Sequence, residues 1–99
     1  MANLIIVYWR DIPAQVIAKQ RRNSAKVELT QRFAEAIDHA AMRAGKGSTD
    51  AYLEEWRRVS EPCGDDLQAV ADEAAAKLEQ DYDKERLLAL IKNEGNEPS

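Results

Sequence analysis

Lys19, Arg21, Arg22 and Lys26 put four positive side chains within eight consecutive residues, Lys19-Gln20-Arg21-Arg22-Asn23-Ser24-Ala25-Lys26. A guanidinium group offers two parallel donors in one plane, so such a cluster on a projecting tip can grip phosphate or carboxylate groups. The same charges on a sheet edge would equally keep one molecule from pairing with the next. A second polar pair, Arg10-Asp11, stands between the apolar run Leu4-Ile5-Ile6-Val7-Tyr8-Trp9 and Ile12-Pro13. At a strand end, Arg10 could hold an anion or stack on Trp9 or Trp56, with Asp11 neutralising it. The competing reading is a structural Arg-Asp turn pinned by a buried tryptophan.

The remaining chemically capable residues are isolated. Glu35 and His39 share a helical stripe with Arg43, but two ligands fall short of the three or four that zinc requires. General base catalysis by His39 would need a nucleophile and an orienting group, and no motif supplies them. Cys63 is the one cysteine, which excludes an intramolecular disulfide and a multi-thiolate zinc site. Asp65 and Asp66 beside it oppose thiol activation. Asp81-x-Asp83-x-Glu85 has Arg86 where a calcium loop needs glycine and Lys92 where it needs glutamate. Glycine-rich phosphate loops and serine elbows do not occur. The sequence therefore predicts no catalytic residue, no metal and no cofactor, and it argues against an enzyme.

The elements that would position these residues follow from periodicity. Leu4 to Trp9 reads as a central strand. Residues 14–29 read as a β-hairpin whose tip is Arg21-Arg22-Asn23-Ser24, with Val27 and Leu29 alternating against Lys26 and Glu28. From Thr30, a candidate N-cap, the period becomes helical through Phe33, Ile37, Ala40, Ala41 and Ala44 and stops at Gly45. After the link Gly45-Lys46-Gly47-Ser48, a second helix capped by Ser48 or Thr49 would turn Tyr52, Leu53, Trp56 and Val59 inward, with Glu54 and Arg58 paired outside. Pro62-Cys63-Gly64 breaks the chain. Asp65-Asp66 then opens a third helix with Leu67, Val70, Ala71, Ala74 and Leu78 inward.

No Gly or Pro interrupts 65–93, so one continuous or slightly kinked helix is expected there, although Asp83 could cap a separate one. The apolar cluster Leu87, Leu88, Leu90 and Ile91 would close the core or dock on another chain. The predicted architecture is α+β: a small N-terminal antiparallel sheet of two or three strands with three helices on one face. It forms a single domain over 1–95, and 96–99 fray.

At 99 residues, 44% hydrophobic and 32% charged, the chain has the composition of one ordinary globular domain. Large multi-layer enzyme folds are excluded by size. The net charge of −4 argues against nucleic acid as a partner. That average hides a gradient. Residues 1–29 carry five Lys/Arg against two Asp/Glu, 30–60 five against five, and 61–99 four against eleven. No export signal or membrane span is visible, which points to the cytoplasm.

The words Tyr8-Trp9-Arg10-Asp11-Ile12-Pro13-Ala14-Gln15-Val16, Arg21-Arg22 and Asp50-Ala51-Tyr52-Leu53-x-x-Trp56-Arg57-Arg58 together resemble a small bacterial family, the virulence-factor domain, over residues 3–92. The family's label records a phenotype and names no reaction. Its members occur as short free-standing proteins or as one module of a larger repeat-containing chain. The resemblance also implies a neighbourhood of folate- and corrinoid-dependent one-carbon metabolism.

The expected function is a non-catalytic cytoplasmic accessory or protein-interaction module. Its contact surface would comprise Arg10, Asp11, Lys19, Arg21, Arg22 and Lys26, with aromatic support from Trp9 and Trp56. The alternative is an anion- or small-ligand-binding component of a one-carbon enzyme system. A protein partner is expected, and self-association remains open.

Overall fold

The apolar run at the N-terminus forms strand β1, Ala2–Trp9, in the interior of a sheet. The computed structural model describes residues 2–45 and 49–97. Two further strands continue as a meander, β2 at Ile12–Gln20 and β3 at Asn23–Glu28. The helix α1, Gln31–Arg43, follows, and then the short helix α2, Thr49–Glu54. Strand β4, Trp56–Cys63, returns to the sheet, and the helices α3, Leu67–Asp81, and α4, Lys84–Lys92, complete the chain. The strand order is β3-β2-β1-β4 and every pairing is antiparallel.

The α+β class holds, with four strands and four helices in place of two or three strands and three helices. Two local readings change. Residues 56–63 form a strand along β1 instead of the second half of a helix. Arg58 therefore stands opposite Val7 in the ladder instead of one helical turn from Glu54, and Leu53 and Val59 are 59% and 41% exposed where inward positions were expected. The helix from Leu67 ends at Tyr82, whose ψ of 73° leaves the helical region. Asp83 then caps α4 by accepting from Arg86 N at 2.8 Å. A capping side chain can end one helix and start the next without Gly or Pro. The link at Lys46-Gly47-Ser48, and with it the Ser48 cap, lies outside the described residues.

Register sorts the sheet into two faces, because residues directly opposite in a ladder share one. One face carries Ala25, Ala18, Leu4 and Val27, Val16, Ile6 in successive rows, and all six belong to or pack against the helix-covered core with Phe33, Ile37, Ala71, Leu78 and Leu90. The opposite face carries Lys26, Ile17, Ile5 and Ser60 in one row and Glu28, Gln15, Val7 and Arg58 in the next, with Lys19 and Asn3 beyond. Ile5, Val7 and Ile17 are not part of the core cluster; Val7 is nonetheless buried by its neighbours, and Ile5 and Ile17 are half-buried.

A bulge marks the β1–β2 ladder. The register shifts after Val7, leaving Ala14 without an opposite number and Pro13 facing Tyr8. Proline lacks an N–H to give the ladder, and a bulge is where strands accommodate it. The Ala14 carbonyl accepts from Leu29 N instead.

Arg10 N donates to the Glu55 carbonyl just past the β1–β4 ladder. Antiparallel bonds alternate, so this phase turns the backbone groups of Arg57, Val59, Glu61 and Cys63 toward β1 and those of Trp56, Arg58, Ser60 and Pro62 toward solvent. Pro62 thus sits where a missing N–H costs nothing.

Candidate functional site

The two hairpin turns are built alike. Each has two residues, Arg10-Asp11 between Trp9 and Ile12 and Arg21-Arg22 between Gln20 and Asn23, and each begins with an arginine at positive φ, 54° and 53°. Glycine is the usual occupant of such a position, and a side-chain-bearing residue there costs about 1–2 kcal/mol. The two turns lie at opposite ends of β2, about 27 Å apart at the strand rise. The structure therefore gathers Lys19, Arg21, Arg22 and Lys26 at one end of the hairpin and keeps Arg10 and Asp11 at the other.

At the Arg10 end the polar groups are committed to one another. Arg10 lies over the Trp9 ring at 5.3 Å, its Nε is 3.3 Å from Glu55 Oε2, and its Nη1 donates to the Glu94 carbonyl at 2.8 Å. Asp11 Oδ1 accepts from Arg57 Nη2 at 3.1 Å, and Oδ2 accepts from Glu97 N at 2.7 Å. Arg57 Nε also donates to the Arg10 carbonyl at 2.8 Å while its guanidinium covers Tyr8 at 4.7 Å. Arg86 pairs with Glu97 at 2.7 Å and stacks on Tyr82 at 3.9 Å. Burial raises the pKa of Tyr8 and Tyr82, against the lowering charges of Arg57 and Arg86 respectively. Trp9 is fully buried and donates Nε1–H to the Tyr52 carbonyl at 2.9 Å. Gly95 and Glu97, in or beside the segment expected to fray, are tied here, since Asp11 N donates to the Gly95 carbonyl at 2.9 Å.

At the other end the cations are open. Lys26 makes a 3.7 Å contact with Glu28, both exposed, and Gln20 Nε2 donates to Asp65 Oδ1 at 3.3 Å. Along the open face, Lys19 and Arg58 flank Ile17, Ile5 and Val7. Val7, Gln15, Trp56, Arg57 and Arg58 line a shallow depression there of about 460 Å³.

A second, smaller feature adjoins it through Gln15 and Trp56. This cavity, of about 290 Å³, lies between α1 and the sheet end, with Ile37 and Leu29 below, Tyr52 and Trp56 at the side and Glu28 and Asp38 at the rim. The sequence reading missed it. Its acids and aromatics come from four separate elements, and only Tyr52 and Trp56 carried any signal.

His39 is exposed on α1 beside Glu35 and Leu88. Cys63 is half-buried at the end of β4, before the helix start at Leu67. Among the described residues no cluster of His, Cys, Asp or Glu could hold a metal ion, and no helix is long and apolar enough to cross a membrane.

The arrangement of strands and helices spans the same stretch as a family model described as Virulence factor, which matches residues 7–91. The chain belongs to the virulence factor family. The match runs from the middle of β1 into α4, so every element of this virulence factor domain lies wholly or partly inside it. No curated protein and no solved structure matches the chain.

Proposed function

We propose that this virulence factor domain is a non-catalytic accessory module of the bacterial cytoplasm, and that it binds an acidic protein through the open face of its sheet. One observation carries the reading. Ile5 and Ile17, both half-buried, lie with the buried Val7 on the side of the sheet away from the core cluster, in rows that also hold Lys26 and Arg58, with Lys19 in the next row. An apolar centre with a charged rim is the anatomy of a protein interface. Here the rim is mainly cationic, which selects acidic partners and speeds encounter. Arg21 and Arg22 extend the same charge beyond the strand ends. A lone thiol such as Cys63 suits a reducing compartment.

The test is quantitative recovery of copurifying proteins with the tagged chain at low salt. A triple variant, Lys19→Glu, Lys26→Glu and Arg58→Glu, is compared with Lys77→Glu, an exposed charge change on α3. An acidic partner recovered by the wild type and by Lys77→Glu, but reduced at least tenfold by the triple variant, is the expected result. Equal recovery by all three proteins overturns the reading.

A further inference from the structure

The cavity between α1 and the sheet end has the wrong charge for the partner proposed above. Among the described residues that line it none is basic, and two, Glu28 and Asp38, are acids. Tyr52 and Trp56 meet at its side nearly at right angles, with 82° between the ring planes and 5.7 Å between centroids. A group seated in the angle between two such rings meets a face of each, and ring faces carry the negative end of the aromatic quadrupole. Ile37 and Leu29 give an apolar floor.

We propose that this cavity is a binding site for a small organic cation, an alkylammonium head on a short apolar chain. The aromatic corner is fixed before any ligand arrives. Trp9 stacks on Tyr52 at 5.9 Å, and its indole N–H holds the Tyr52 carbonyl. The negative field reaches the site as well: burial chiefly, and then the Asp38 charge, push the Tyr52 hydroxyl pKa up. Among the described residues, Glu28 pairs with Lys26 in an exposed 3.7 Å contact, which a bound cation can replace. A volume of about 290 Å³ fits a head group and a few methylenes, at the small end of ligand sites. Cation, aromatic faces and carboxylates are complementary, whereas a neutral molecule of equal shape gains only the apolar contact.

That difference supplies the experiment. Choline and its neutral carbon isostere, 3,3-dimethylbutan-1-ol, are titrated into the full chain while the Trp56 indole N–H is followed by NMR. Saturable choline binding, with the isostere at least tenfold weaker, is expected. Asp38→Asn with Glu28→Gln should weaken choline at least fivefold and leave the isostere unchanged, and both positions are exposed enough to spare the fold. A free metabolite and a lysine side chain both carry this chemistry; titration with Nα-acetyl-trimethyllysine amide separates the sources, the tighter of the two ligands marking the natural one. Equal affinity for choline and the isostere, or no saturable shift with either cation, overturns the proposal. Neither outcome decides the open sheet face, where Glu28→Gln removes one acid and leaves Lys19, Lys26 and Arg58 in place.

Discussion

Gly95 has a φ of 93° and lies against the Trp9 ring, where an added Cβ would stand 2.8 Å from Trp9 Cζ3 and 3.3 Å from Arg10 Cδ. Both the backbone angle and the space demand glycine. Gly95→Ala should cost about 1–3 kcal/mol in urea unfolding, from overpacking and a strained φ together. Glu79 offers a different test. Burial alone would raise its pKa, but Thr30 N and Oγ1 donate to its carboxylate at 2.6 and 2.9 Å and Arg32 Nη2 at 3.1 Å, and these donors hold the carboxyl below its ordinary value. A group depressed in the folded state adds stability above its unfolded pKa and loses it as pH falls through the folded value. The melting temperature of the wild type should therefore fall more steeply than that of Glu79→Gln as pH drops through and below the ordinary carboxyl range. Thr30 sits at the N-cap of α1, yet its hydroxyl goes to Glu79 and makes no cap bond.

The break between α3 and α4 rests on Asp83. Asp83→Ala should cost about 1 kcal/mol through the lost bond to Arg86 N, read in chemical denaturation, whereas Asp66 is the weaker cap at 3.3 Å from Ala69 N. The strand β1 was legible as an unbroken apolar run, and β3 and α1 because each buries one side, so alternation at Val27 and Leu29 or helical spacing at Phe33, Ile37 and Ala40 shows plainly. The strand β4 was not. Six of its eight residues are exposed, which erases the period-two signal, and the accidental spacing of Tyr52, Trp56 and Val59 imitates a helix. The candidate site was legible only in part. The basic hairpin is contiguous in sequence, whereas Ile5, Val7, Ile17 and Arg58 share a face only because β4 pairs with β1.

At the scale of the whole molecule, the C-terminal turn locks the first hairpin. Arg10, Asp11, Glu55, Arg57, Glu94, Gly95 and Glu97 exchange bonds across three distant segments. Truncation after Asn93 removes the Gly95, Glu94 and Glu97 partners at once. It should lower stability by about 2 kcal/mol, or roughly 8–16 °C in melting temperature for a domain of this size.

The phase of the β4 edge has a consequence of its own for solvent exchange. Amide protons of Arg57, Val59, Glu61 and Cys63 point into the ladder, and those of Trp56, Arg58 and Ser60 point out, so deuterium should enter this strand at every second residue. A partner lying on the sheet face would leave that alternation in place. A partner adding a strand would erase it, and the edge thus reports how the molecule is held as well as whether it is held.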